Sequence, residues 1–220
     1  VLTKESQNWI VNNTYSKDIR VINNPIEYPI QNLNPYKKPP DSSNKFILNC
    51  GRLHYEKGQD MLITAFSLIE KDFPEWSLYI LGEGMERNYL QNLIYKFHLE
   101  KRIFLPGWAG NLHDWYSEAN IFAFSSRFEG FGNALAEAKM YGKACISFDC
   151  LSGPREIISN RKDGILVTPN DIEELSSSLK ELMENKTIRH NLSLNAIKER
   201  SKFSVSKTML KWDKIFSEFS

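Results

Sequence analysis

Apolar residues recur along this chain in two alternating rhythms, short unbroken runs and longer stretches with helical spacing. The runs at 46–50, 78–81, 103–105, 121–124, 144–148 and 165–167 have the length and the Ile, Leu, Phe and Val content of buried strands. Between them, 60–71 puts Met61, Leu62, Ala65, Phe66, Leu68 and Ile69 on one helical face, and 87–97 does the same with Leu90, Leu93, Ile94 and Phe97. Shorter helices are predicted over 112–118 and 132–141. Asp171 is predicted to cap a further helix bearing Leu175, Leu179 and Leu182, with Glu174 completing a capping box, and two more helices over 187–200 and 205–219 close the chain. Six strands alternating with helices predict an α/β fold, a parallel six-stranded sheet with helices on both faces.

Before the first strand the pattern changes. Residues 1–24 hold two short apolar patches, at 9–11 and 19–22, and then prolines at 25, 29, 35, 39 and 40 interrupt a stretch of Asn, Tyr and Lys. That composition resists regular structure, so 25–43 reads as a linker and the compact domain is expected from residue 44. Because the chain opens at Val1 rather than Met, it is expected to be an excerpt whose N-terminal context is missing.

Charge removes one class of partner. With 28 basic and 27 acidic side chains the net charge is +1, too little to hold a polyanion, so nucleic acid is not expected as a partner. Cys50, Cys145 and Cys150 show no CxxC spacing and lie in or beside apolar runs, which reads as reduced core thiols in a cytoplasmic protein. No apolar run approaches the roughly 20 residues of a membrane span, and no signal-peptide pattern opens the chain.

In an open parallel sheet, ligands bind beyond the carboxyl ends of the strands, so chemistry is sought in the strand-to-helix turns. The turn from Gly51 to Gly58 offers Gly51 for a sharp bend, the planar fork of Arg52, and Lys57 near a helix start, where an anion would relieve the clustered positive charge. The bland alternative pairs Arg52 and Lys57 with Glu56 and Asp60 in a solvated loop. In the turn after residue 124, Gly130 and Gly132 allow close backbone approach, and amides from about Phe131 through Gly132, Asn133 and Ala134 to Leu135 can form an anion nest for a diphosphate. The third glycine of a dinucleotide fingerprint is absent. Glu129 and Glu137 bracket this nest and, if they face a ligand, accept from sugar and ribose hydroxyls; otherwise both are surface charges. Gly82, Glu83 and Gly84, with Pro106, Gly107 and Trp108 one strand later, either contact base or ribose or only make tight turns.

These residues, in this order from about Lys45 onward, resemble the retaining glycosyltransferases of family four, whose GT-B architecture sets two Rossmann-like domains face to face. The likeness rests on Gly51-Arg52-Leu53 with Lys57-Gly58, Leu81-Gly82-Glu83-Gly84, Phe104-Leu105-Pro106-Gly107, the Glu129 to Glu137 signature, and Ser152-Gly153-Pro154 followed by Glu156-Ile157-Ile158. It implies a Rossmann-like donor-binding domain over 44–204, preceded by a tail (1–24) of a missing acceptor domain, entered as a final strand and helix, and followed by a C-terminal segment, 205–220, that packs back across the missing half. By resemblance, Arg52 and Lys57 neutralise the donor diphosphate, Glu129 contacts the donor sugar, Phe131, Gly132 and Asn133 approach sugar and phosphate, and Glu137 holds the ribose. No metal or other cofactor is implied. The partners implied are a nucleotide-sugar donor, with UDP suggested by the Ser152-Gly153-Pro154 loop, and a glycan, polysaccharide or lipid-linked acceptor reached through the missing domain, which would also supply any attachment at the inner face of the membrane. The excerpt alone is expected to bind nucleotide weakly without turnover. Two other readings compete: a sugar-nucleotide epimerase of the same architecture, and a non-catalytic nucleotide-binding scaffold whose C-terminal stripe of Trp212, Ile215, Phe216 and Phe219 docks a partner, although packing of that stripe on the domain body is the simpler expectation.

Overall fold

The computed structural model describes residues 1–16, 18–41 and 43–218, and all six predicted runs are strands in it. In chain order the elements are α1 (Lys4–Asn13), β1 (Lys45–Cys50), α2 (Gln59–Ser67), β2 (Trp76–Leu81), α3 (Arg87–Lys96), β3 (Ile103–Gly107), α4 (Leu112–Glu118), β4 (Ile121–Phe124), α5 (Asn133–Met140), β5 (Ala144–Phe148), α6 (Pro154–Ile157), β6 (Ile165–Val167), α7 (Ile172–Glu184), α8 (Lys186–Lys198) and α9 (Val205–Ser217). The strands form one sheet in the order β3-β2-β1-β4-β5-β6, with every neighbouring pair parallel. The chain thus builds outward from β1 to β3 and then returns to place β4 on the other side of β1. At that reversal the turns leaving β1 and β4 diverge and open a crevice. Asn49 fastens the two strands there, its Nδ2 donating to the Ala123 carbonyl at 2.8 Å.

Alternation along each strand feeds two cores. Ile47, Ile121, Ala123, Ala144, Ile146 and Phe148 point into one, covered by α2, α3 and α7; Phe46, Leu48, Phe122, Phe124 and Cys145 point into the other, covered by α4 and α5. Because both faces are covered, the strands read as continuous apolar runs. The second core carries the site, since α4 and α5 flank the crevice.

Several local expectations change. The helix predicted over 60–71 ends at Ser67, with a separate 3-10 turn at Glu70–Asp72, and Leu68 lies exposed rather than on the buried face. Pro106 sits inside β3, which is tolerated because β3 is an edge strand with no outer neighbour needing its missing amide. Only half of the capping box forms. Asp171 accepts from the Glu174 amide at 2.9 Å, but the Asp171 amide is already bonded to the Thr168 carbonyl, so the Glu174 carboxylate accepts from the Thr168 amide instead. The four-residue helix α6, started by Pro154, falls where only a loop is expected.

Before β1 no strand forms among the described residues; 4–13 is helical and the described residues after it are irregular. Helix α1 docks on the 152–156 loop, with Thr3 Oγ1 2.8 Å from Ser152 Oγ, the Lys4 amide 2.9 Å from Glu156 Oε1, and the Ser152 amide donating to Glu5. The described residues of 25–43 are irregular, yet they lie strapped against the domain. The Ile26 amide bonds to Phe203 O (2.8 Å), Ile30 to Tyr141 Oη (2.8 Å), Leu33 to Gly110 O (2.9 Å) and Lys37 to Asn111 Oδ1 (2.8 Å). At the other end, α9 does not bury its apolar stripe on the domain body. Thr208 is its one buried residue, while Leu210, Trp212 and Phe216 are exposed, and Phe219 lies outside the described residues.

Candidate functional site

The rim of the crevice is built by backbone packing. The Gly51 amide bonds to the Leu81 carbonyl at 3.0 Å, and the Gly82 amide to that of Gly107 at 2.9 Å, so the turns after β1, β2 and β3 lie against one another. Gly82 adopts φ 133°, and a Cβ there would come within 2.0 Å of the Gly51 carbonyl oxygen, so this approach requires glycine. Gly51 sits at a bend as expected, yet the bend does not require glycine: its φ is outside the left-handed region and an added Cβ would meet nothing closer than Lys57 Cδ at 3.7 Å. The left-handed residue of that turn is Gly58, at φ 59°.

The two basic residues of the first turn have different surroundings. Arg52 is exposed, and its guanidinium has no hydrogen-bond or ion-pair partner among the described residues. Lys57 donates to Glu129 Oε1 at 2.7 Å, an oxygen that also accepts from Ser126 Oγ at 2.7 Å. The local pairing of Arg52 and Lys57 with Glu56 and Asp60 does not occur, because Asp60 is held by both guanidinium nitrogens of Arg127, at 2.9 and 2.7 Å. Nor is Glu129 a surface charge, its side chain being 9% exposed.

Helix α5 begins after Gly132 with no side chain capping it. Of the amides expected to form the nest, that of Leu135 is consumed by the Gly132 carbonyl at 3.0 Å, whereas those of Asn133 and Ala134 have no acceptor among the described residues. Phe131 and Leu135 contribute side chains to the core rather than to the site. The Asn133 side chain accepts from Asn24 Nδ2 at 2.9 Å, which fixes the helix start against the N-terminal segment.

Glu137, one turn into α5, is largely buried, so the surface-charge alternative fails here too. Burial raises its carboxyl above the usual carboxylate range, opposed in part by the Tyr116 hydroxyl, which donates to Oε2 at 2.9 Å. Tyr116 is fully buried, and burial pushes its phenol well above the ordinary value.

A cavity of about 390 Å³ gathers these features, lined among others by Arg52, Gly82, Trp108, Tyr116, Asn133 and Glu137. Gly51 and Ala134 line it as well, while Lys57, Glu129 and Gly107 are not in its lining, the Lys57 side chain lying beside Gly51. Sequence reasoning missed Tyr116, Ser126 and Asn24. Tyr116 reads only as a helical aromatic in 112–118, and nothing in the spacing shows that α4 faces α5. Cys50, Cys145 and Cys150 are all buried free thiols, and Cys50 also lines the cavity. Among the described residues no helix is long and apolar enough to cross a membrane, and no three His, Cys, Asp or Glu side chains cluster as metal ligands.

Comparison with known proteins places this geometry. The chain is 28% identical over 218 residues to the amylovoran biosynthesis glycosyltransferase AmsD of Erwinia amylovora, covering 99% of this chain and 61% of the relative. It is 32% identical over 172 residues to the N-acetylgalactosamine-N,N'-diacetylbacillosaminyl-diphospho-undecaprenol 4-alpha-N-acetylgalactosaminyltransferase of Campylobacter jejuni, covering 77% of this chain and 46% of the relative. In fold it matches a Staphylococcus aureus TarM variant in complex with fondaparinux, alpha-GlcNAc-glycerol and UDP, with TM-score 0.87, 24% identity, and 98% and 43% of the two chains covered. Anabaena HepE in complex with UDP-glucose matches with TM-score 0.83 and 22% identity, over 96% of this chain and 61% of that one. The chain spans 61% or less of the length of each of these proteins. The family model described as glycosyl transferases group 1 matches residues 31–199, three-quarters of the chain, and together with the six-stranded parallel sheet and its crevice this shows that the chain belongs to that family.

Proposed function

We propose that this chain is the donor-binding part of a retaining glycosyltransferase that moves a sugar from a UDP-sugar to a glycan, polysaccharide or lipid-linked acceptor. One observation carries the assignment: an unpaired guanidinium, Arg52, shares a cavity with the uncapped start of α5 and with a buried carboxylate, Glu137. A diphosphate fits the first two, and a ribose fits the third. UDP is supported by the fold neighbours crystallised with UDP or UDP-glucose, and a polymer or lipid-linked acceptor by the names of the relatives. Retention follows from the family resemblance of the Glu129 to Glu137 signature.

In this scheme Arg52 and the amides of Asn133 and Ala134 bind the diphosphate before reaction. As the bond from the sugar to the diphosphate breaks, negative charge grows on the departing oxygen, and Arg52 and Lys57 stabilise it without a metal. Lys57 already shares Glu129, so it bridges the phosphate side to a carboxylate whose second oxygen accepts from a donor-sugar hydroxyl. The acceptor, cytoplasmic placement and any attachment to the inner membrane face belong to the whole protein.

Calorimetric titration of the chain with UDP, GDP, ADP and a UDP-sugar tests the assignment. UDP binding stronger than GDP and ADP supports it, whereas failure of all three at millimolar concentration removes it. Sugar transfer by the 220-residue chain at the rate of the full-length protein would refute the expectation that the excerpt does not turn over.

A further inference from the structure

Tyr116 is the most completely enclosed polar side chain touching the cavity, and its hydroxyl has a task that packing does not explain. The ring stacks on Tyr141 (centroids 5.3 Å apart, 28° between planes) and tilts against Phe122 at 5.8 Å. Tyr141 is itself pinned, its hydroxyl accepting from the Ile30 amide at 2.8 Å and lying 2.9 Å from His113 Nδ1. The ring therefore cannot swing, and phenylalanine would fill the same space. A hydroxyl buried so deeply is costly unless it is bonded. Three groups lie within reach, Glu137 Oε2 at 2.9 Å, the Ala134 carbonyl at 3.3 Å and the Cys50 thiol, and the single proton goes to the charged oxygen, the strongest acceptor of the three. Glu137 Oε1 has no partner among the described residues and is not among the buried unpaired atoms, so it is the oxygen open to the cavity.

We infer that Tyr116 is a positioning residue, which fixes the Glu137 carboxylate by its Oε2 so that Oε1 is presented to the vicinal hydroxyls of the donor's ribose. The inference rests on the nucleotide-sugar assignment above and deepens it. The same hydroxyl also favours the ionised form of Glu137. Burial raises this carboxyl and the Tyr116 bond lowers it, so losing the bond raises it further. The other groups facing Glu137 are the Cys50 thiol on β1, the Tyr141 phenol at the end of α5, and Arg52 across the cavity. Cys50 and Tyr141 are raised by burial and stay neutral near pH 7, so neither substitutes for Tyr116. An ionised carboxylate accepts from hydroxyls and a protonated one does so poorly, so nucleotide binding is lost as pH falls through the Glu137 value.

The test is Tyr116→Phe, titrated with UDP and with 2′,3′-dideoxy-UDP from pH 5 to pH 8, with thermal melting as the folding control. Expected are a UDP affinity reduced by about 2- to 12-fold at pH 7, the span of one net hydrogen bond, and dideoxy-UDP affinity unchanged. The acid limb of UDP binding should also move to higher pH than in the wild type; the ionisation of UDP is common to both proteins and cancels. A ribo-to-dideoxy ratio and an acid limb that both match the wild type would overturn the inference, leaving Tyr116 as packing. A wild type that binds both nucleotides equally would overturn it too, by removing Glu137 from the ribose, while the nucleotide assignment stands. A wild type that binds neither takes down the assignment and the inference together.

Discussion

Arg52→Ala separates binding from stability, because nothing in the folded chain depends on this side chain. Its guanidinium is exposed and has no partner among the described residues, so truncation leaves no buried group unsatisfied, and stability should hold within about 0.5 kcal/mol. In the proposed complex the same group would meet a phosphate oxygen. A charge-assisted hydrogen bond of that kind, discounted for solvent screening at the open cavity, contributes about 1–2 kcal/mol, or roughly 5- to 30-fold in affinity. Calorimetry with UDP and with inorganic pyrophosphate should show similar losses for both, since the contact is to phosphate, and the losses should shrink at high salt. Arg52→Lys should recover part of the affinity, since a point charge remains where the fork is lost. Lys57→Ala behaves differently. It removes one of the two donors to Glu129 Oε1 at a carboxylate only 9% exposed, and should cost about 1–3 kcal/mol of stability in urea denaturation. If Arg52→Ala binds UDP within two-fold of the wild type, the guanidinium does not meet the diphosphate and the electrostatic account of the cavity is wrong.

Four other substitutions probe the site and the packing around it. Glu129→Ala should weaken a UDP-sugar more than UDP in parallel titrations, and equal losses would count against a sugar contact. Lys139→Met strips the partner from Asp163, a pair only 5% and 1% exposed at 2.8 Å; it should cost about 3–5 kcal/mol in urea denaturation, because an uncompensated charge remains buried, and a cost below 1 kcal/mol would contradict that. Gly82→Ala forces a Cβ to within 2.0 Å of the Gly51 carbonyl at a φ of 133° and should cost about 1–3 kcal/mol or more. Gly51→Ala, with 3.7 Å of room, should melt like the wild type.

The strands and most helices were legible because their signal is local. Both faces of the sheet are covered, so each strand is a continuous apolar run, and α4, β4, β5 and β6 begin and end where the pattern predicts. Where neighbours in space decide, the pattern failed. Pro106 stays in a strand because β3 is at the edge, and the Glu174 carboxylate turns to the Thr168 amide because Asp171 already donates to the Thr168 carbonyl. Glycine alone also misled. Gly51 and Gly82 look alike in sequence, and only the crossing of two backbones shows that Gly82 is obligatory while Gly51 is not.

The site shows the same division in its charges. Nearest-neighbour reasoning offers Glu56 and Asp60 to Arg52 and Lys57, yet the sheet sets β4 beside β1 and so brings the turn of 125–132 against the turn of 51–58. Arg127 then takes Asp60 from 67 residues away, and Glu129 takes Lys57 from 72 away. Glu56 lies by His54, and Glu83 is held by Arg87. With Asp60, Glu129 and Glu83 engaged by other cations, Arg52 lines the cavity with no ion-pair partner among the described residues, alongside a Glu137 already held by Tyr116. The positive end of α5, which lines the same cavity, adds to that excess, with the Asn133 and Ala134 amides unbonded among the described residues. The unbalanced charge is therefore a product of strand order rather than of local sequence, and it lies where an arriving diphosphate would be neutralised without breaking any pair that holds the fold.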